Sequence, residues 1–269
     1  MLYYSVISHK TDNRYYVKIF TTQFHRIFFG SPKNSCVKVA VYTDDVDEER
    51  QFAELMAIGF DNDCSVEGRM VRGDGTKDML NSAREFIRRQ YDFVSSFTYK
   101  DASHMPCKYG TDVDMMFPSI AKYRTNWYSH YFGGSLVSRN GSDYLKLLNI
   151  FYDSPINISE DGLRQIIVDS VDKESVDNIL ATVLPIYNKF KTANKTYREF
   201  IASIYKTDCF YVSQWLDKLL RLENPLFIKL RRETWIMPIS NTEYDITIQE
   251  IDETTYVQVG GSTKNFYLI

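Results

Sequence analysis

The sequence predicts an α+β fold: a mixed, mostly antiparallel sheet with helices, followed by a helical carboxy-terminal region closed by a small β-sheet. Three observations carry this reading. Apolar residues alternate with period two over residues 2–71, they recur at three- and four-residue spacing after Asp78 and again from Gly141, and the period returns to two after Pro225. With 269 residues, 44% of them apolar, the chain is long enough for one large core or two smaller ones. The change of texture divides it into 1–140 and a helical region 141–269, packed on the first domain through the surplus apolar residues of its helices.

Leu2, Tyr4 and Val6 alternate, Thr11-Asp12-Asn13 turns the chain, and Tyr15, Val17 and Ile19 alternate again. Val37, Val39 and Val41 mark a further strand, an acidic loop covers 44–49, and a longer strand spans 52–60. Asp61-Asn62-Asp63 reads as a hairpin turn, with 64–71 as its return strand. Met79, Leu80, Ala83, Phe86 and Ile87 then form one helical stripe that runs to about Gln90. Phe93, Ser95 and Phe97 begin a strand ending near Lys100, and Pro118 opens a helical stretch that stops at Gly133-Gly134. Five amphipathic segments follow, on Leu145/Leu148/Tyr152, Leu163/Ile166/Ile167, Val176/Ile179/Val183/Tyr187, Tyr197/Phe200/Ile201/Ile204 and Val212/Trp215/Leu216/Leu219. Strands on Trp235/Met237/Ile239, on Tyr244/Ile246/Ile248 and on Val257/Val259 close the chain.

Thirty-two basic against 35 acidic residues leave a net charge of −3, so no global field attracts nucleic acid or an anionic membrane. Any such binding is left to a local patch. Cys36, Cys64, Cys107 and Cys209 are scattered without a C-x-x-C pair, a pattern expected of free thiols in a reducing compartment. No apolar run approaches the length of a membrane span, and Met1 to Lys10 lacks the pattern of a secretory leader. A soluble, intracellular protein is the expectation.

The most informative stretch is the glycine-bearing loop Arg72-Gly73-Asp74-Gly75-Thr76-Lys77 between strand and helix. A helix start leaves backbone N–H groups without partners and carries partial positive charge, which suits a phosphate; a plain turn needing glycine for its dihedrals reads the same way. Lys77, Arg84 and Arg88 share one helical face that suits a phosphate group or simple solvation. His104 and Cys107 stand at i and i+3, but no second pair has metal-ligand spacing, so no metal site is expected.

The loop resembles the acyl-CoA loop of the GNAT superfamily of N-acetyltransferases, Arg/Gln-x-x-Gly-x-Gly/Ala. It supplies the Arg and the first Gly, with Lys77 where Gly or Ala is expected and the acidic Asp74 within it. Trp127-Tyr128-Ser129-His130-Tyr131-Phe132 looks like the family segment whose Tyr protonates the departing thiolate. Residues 64–132 look even more like uncharacterised GNAT-like proteins of large nucleocytoplasmic DNA viruses, through Gly75-Thr76 before Met79-Leu80, Lys100-Asp101-x-Ser103-His104-x-x-Cys107 and Trp127-Tyr128-x-x-x-Phe132. Only residues 21–35 remain for the two helices that shape the family's acceptor cleft, so those are shortened or absent.

The resemblance implies an acyl-CoA-dependent N-acyltransferase that binds acetyl-CoA or CoA through Met70, Val71, Arg72, Gly73, Asp74, Gly75, Thr76 and Lys77. Tyr128 would be the general acid, and Glu54 or Glu67, on the two strands before the loop, the base that accepts the amine's proton through water. A backbone N–H near Met70 or Val71 would hold the carbonyl oxygen. On their own, Glu54 and Glu67 read equally as solvated strand residues, and Tyr128 as one of 20 packing tyrosines. The partner implied is an amine acceptor of unspecified size. The alternative is a catalytically inactive, GNAT-like binding or virion-associated protein whose carboxy-terminal region meets a protein partner. The location implied is the cytoplasm of an infected host cell, or the virion.

Overall fold

The computed structural model describes residues 1–33, 35–43, 52–58, 65–66, 69–70, 73–101, 104–106, 112–207, 209–239 and 244–259. The acidic loop 44–49, the turn 61–63, Cys64, Cys107 and the candidate residues Glu67, Val71 and Arg72 lie outside them. The chain forms two compact units: Met1–Tyr99 with Ile236–Ile269, and Lys100–Trp235. The chain thus returns to the first unit after residue 235.

In the first unit, β1 (Leu2–Ser8), β2 (Arg14–Thr21), β3 (Phe24–Gly30), β4 (Ser35–Tyr42) and β5 (Phe52–Ile58) form an antiparallel meander. The alternation read from the sequence at Val6, at Tyr15, Val17 and Ile19 and at Val37, Val39 and Val41 is buried on one face, together with Ile27 and Phe29 of β3, which the sequence reading did not mark. Helix α1 (Asp74–Gln90) buries its stripe of Met79, Leu80, Ala83, Phe86 and Ile87. Phe86 meets Tyr4 edge-on at 5.3 Å and Phe29 at 6.2 Å. Each such side chain removed from water contributes about 1.5–3 kcal/mol, so this stripe fixes the helix on the meander.

The expected partner of β5 changes here. Among the described residues of the expected return strand, β6 (Ser65–Val66) and β7 (Arg69–Met70) pair with each other and not with the main sheet. The neighbour of β5 is instead the parallel strand β8 (Ser96–Lys100), reached through α1. Residues 21–35 hold β3, so no helix separates the first strands.

The small closing sheet does not form either. Strand β12 (Thr234–Pro238) lies beside β8, and Ile239 N–H bonds the Ser95 carbonyl at 2.8 Å, which sets the two antiparallel. Strand β13 (Ile246–Ile251) pairs with β1, at the opposite side of the sheet. The expected strand on Val257 and Val259 is replaced by helix α10 (Glu253–Gln258), started by Asp252, whose side chain accepts from Thr255 N–H at 2.6 Å.

The second unit begins with a hairpin of β9 (His104–Pro106) and β10 (Asp112–Asp114), then α2 (Met116–Tyr123), α3 (Trp127–Phe132) and the short β11 (Ser135–Leu136). The five expected amphipathic segments are α4 (Arg139–Asp153), α5 (Glu160–Val168), α6 (Lys173–Thr192), α7 (Tyr197–Thr207) and α8 (Cys209–Glu223), followed by a single turn, α9 (Leu226–Lys229). Their apolar stripes form this unit's own core, in which Phe200 stands 6.0 Å from Tyr187 and 6.1 Å from Trp215. Arg198 donates to the carbonyls of Ile120 and Ala121 at the end of α2 while pairing with Asp153, which satisfies orphan acceptors of that helix end.

Cys36 and Cys209 are each in a disulfide bond. This overturns the free-thiol expectation; spacing alone did not reveal it because bonded cysteines need proximity in space, not in sequence. Among the described residues, no helix is long and apolar enough to cross a membrane.

Candidate functional site

The first unit opens between its two parallel strands. Strands β5 and β8 register at only three pairs, Phe52↔Ser96, Ala53↔Phe97 and Glu54↔Thr98, although both strands continue. On its other side β5 pairs Leu55 with Val39 and Ala57 with Lys38, so Met56 is an extra, bulged residue. A bulge bends its strand and leaves the inserted residue outside the ladder, here just past the last pair with β8. Ligands of open sheets gather at such carboxyl ends of parallel strands.

Helix α1, which joins the two strands, starts on Gly73 with φ 56° and ψ −115°, a conformation that favours glycine. An added Cβ there would meet nothing within 4 Å, so the glycine serves the backbone turn and not close packing. No side chain caps the helix. The hydroxyl of Thr76, only 3% exposed in that first turn, is buried without a hydrogen-bond partner. A buried hydroxyl left unbonded costs about 1–3 kcal/mol, so this donor at an uncapped helix start favours an acceptor group brought by a ligand.

Of the residues expected to bind a cofactor, Gly73, Asp74, Gly75, Thr76 and Lys77 come together on this turn. Asp74 is nearly fully solvated and pairs with Lys77 at 3.0 Å. Met70 lies in the separate β6–β7 hairpin. The basic stripe does not form an anion face: Arg84 is buried, donating to Asn81 at 3.2 Å and to the Pro238 carbonyl, and Arg88 grips Glu85 with two bonds of 2.7 and 2.8 Å. Burial lowers the Arg84 guanidinium to about 10. Glu54 is exposed on β5 and accepts from Tyr42 Oη at 3.0 Å. Tyr128 belongs to the second unit, 8% exposed on α3 with its ring edge-on to Trp127 at 5.2 Å. That is the setting of a packed tyrosine. Among the described residues, no group of three or more His, Cys, Asp or Glu could hold a metal ion.

Sequence reasoning missed a polar residue that gathers four hydrogen bonds. Asp78, 3% exposed on α1, accepts hydrogen bonds from Ser8 Oγ (2.7 Å), Thr11 Oγ1 (2.8 Å), Tyr15 Oη (2.5 Å) and Tyr244 Oη. Burial pushes its carboxyl up, but the four hydroxyl donors together outweigh that and hold it below the usual carboxylate range. Burial and the same carboxylate raise the phenols of Tyr15 and Tyr244. The cradle ties the α1 start to the β1–β2 turn and to the approach to β13, fixing the first turn in place. The one sequence signal was an acid directly before the apolar stripe, which also reads as a solvated first-turn residue.

No protein-family model, curated protein or solved structure matches this chain.

Proposed function

We propose that the first unit is an acyl-CoA-dependent N-acyltransferase domain that transfers an acetyl group to an amine. The observation that supports it best is the parallel pair β5–β8, registered at three positions and then parting, joined in the chain by a helix whose start is uncapped and glycine-bearing. Gly73 to Lys77 would hold the pyrophosphate of CoA, with first-turn N–H groups and the Thr76 hydroxyl as donors. Acetyl-CoA supplies an activated acyl thioester. Glu54, at the last register pair, takes the proton that an ammonium must lose before its nitrogen can attack. The bulged backbone at Met56 offers a donor for a carbonyl oxygen, a role the sequence reading gave to Met70 or Val71.

CoA and acetyl-CoA should each raise the melting temperature of the full chain, since binding only the native state contributes about 2.7 kcal/mol at a hundredfold excess over Kd. Thr76→Val should weaken that binding about tenfold by deleting one donor. Absence of any shift with the parent protein at millimolar CoA (about 1 mM,) would sink the proposal. It would favour a non-catalytic binding or virion-associated protein, a reading supported by the bonded Cys36 and Cys209, because disulfides persist at virion and cell surfaces and are rare in the cytosol.

A further inference from the structure

The nine-stranded sheet ends on β13, which pairs with β1 and has no described strand on its outer side. The register runs unbroken from Tyr3↔Ile251 to Ser8↔Ile246, and beyond it His9 N–H bonds the Asp245 carbonyl at 3.0 Å. Hydrogen-bonded pairs alternate along an antiparallel ladder, so Asp245, Thr247, Gln249 and Ile251 turn their backbone groups towards β1. Ile246, Ile248 and Glu250 turn theirs outward. Arg89 Nη1 donates to the Ile246 carbonyl at 3.0 Å, which leaves Ile248 and Glu250 as the open part of the edge. This edge meets solvent, since Thr247, Gln249 and Glu250 are all exposed. Helix α10 folds away from it: Tyr256 stands 4.6 Å from the Tyr3 ring and donates to the Pro32 carbonyl at 3.4 Å, over the interior strands.

Sheet edges are normally blunted by Lys, by Pro or by a bulge, and β13, with the sequence ITIQEI and an unbroken register, has none of these. Its single charge is Glu250. That residue lies opposite Tyr4, whose ring meets Phe86 of α1, so Glu250 projects from the face that carries α1. It is exposed and forms no ion pair among the described residues. On the same face, at the Ile246 end of the strand, Arg89 is also exposed; its Nε bonds Glu85, a carboxylate it shares with Arg88, and its Nη2 is unengaged among the described residues.

We propose that β13 pairs antiparallel with β13 of a second copy of this chain, around a two-fold axis at Gln249. Ile248 of each copy then exchanges both its backbone hydrogen bonds with Glu250 of the partner subunit, and the Ile246 carbonyl keeps its bond to Arg89. Charge complementarity selects a second copy over an unrelated extended segment. A two-fold axis brings the Ile246 end of one strand to the Glu250 end of the other on one face of the joined sheet, so each Arg89 faces Glu250 of the partner subunit. The two are diagonal neighbours, within reach of long side chains.

Sedimentation of the full chain over a concentration series tests this. The parent should pass from monomer to dimer, and its Tm should rise with protein concentration, because association stabilises the folded state by mass action. Ile248→Pro deletes an outward N–H and no bond of the β1 ladder, so it should leave a folded monomer. Glu250→Lys, a change at an exposed side chain, should weaken the dimer about tenfold, because symmetry repeats the lost ion pair. Gln249→Cys places a thiol opposite its own copy at a non-hydrogen-bonded pair, about 4.5 Å between Cα atoms, and should cross-link on mild oxidation, whereas Thr247→Cys should not. A parent chain that stays monomeric would overturn the proposal and leave the edge to a segment of another protein. A dimer that survives both Ile248→Pro and Glu250→Lys would overturn it too, since its interface would lie elsewhere.

Discussion

Asp78 and Thr76, two residues apart on α1, show opposite outcomes for a buried polar side chain. Asp78 has four donors and no cation; Thr76 has no partner. Removing a buried carboxylate that four hydroxyls serve leaves those hydroxyls unsatisfied, so Asp78→Ala should destabilise the protein by about 2–4 kcal/mol. Scanning calorimetry should show this as a fall in Tm of roughly 10 °C. Because the folded-state pKa of Asp78 is depressed, its ionic contribution is present above the unfolded-state value of about 3.9 and is lost as pH falls through the folded-state value. The stability gap between the parent and Asp78→Asn should therefore be full at neutral pH and close only in acid. A gap that did not change with pH would assign the effect to packing. Glu54 was legible as a candidate because it is an acid on a predicted strand.

At the level of elements, helices were easier to read than strands. A stripe at three- and four-residue spacing marks a helix wherever one face is buried, and α1 and α4–α8 all carry it. Strand β3 escaped notice because large apolar and aromatic residues occur on both its faces, Phe24 and Phe28 with Arg26 on one side and Ile27 and Phe29 with His25 on the other. Alternation vanishes when both faces of a strand are covered. Residues 257–259 misled in the opposite way, since two valines around a glutamine alternate over too short a span, and the cap at Asp252 decides for helix. The turn into α1 is set by Gly73. An L side chain fits the space there but not the dihedrals, so Gly73→Ala should cost about 1–3 kcal/mol in a urea melt without any steric clash. An unchanged midpoint would show that the turn can rearrange.

For the whole molecule, the decisive feature is that residues 100–235 are inserted between two strands of the first unit. Strands β8 and β12 lie side by side and antiparallel, so the chain leaves and re-enters at neighbouring positions. Each unit holds its own buried apolar cluster, the usual condition for an insertion. Joining Tyr99 to Ile236 through an Asn-Gly turn, the favoured two-residue hairpin loop, should yield a soluble fragment with a single cooperative melt. A molten or insoluble product would show that the first unit needs the inserted one. A chain stopped at Gly141 lacks both β12 and β13, and removing β13 leaves one edge of β1 unpaired, so that truncation should be the less stable of the two.

The sequence alone determined the α+β class, the faces of β1, β2 and β4, the position of α1 behind a glycine turn, and the five long helices of the second unit. These follow from local periodicity, which depends only on which side of an element faces a core. Tertiary structure alone decided that β5 pairs in parallel with β8, that β12 and β13 join opposite sides of one sheet, and that Asp78 gathers four hydroxyls. Each of these is a contact between residues distant along the chain, and strand register and side-chain proximity across such distances leave no periodic trace in sequence.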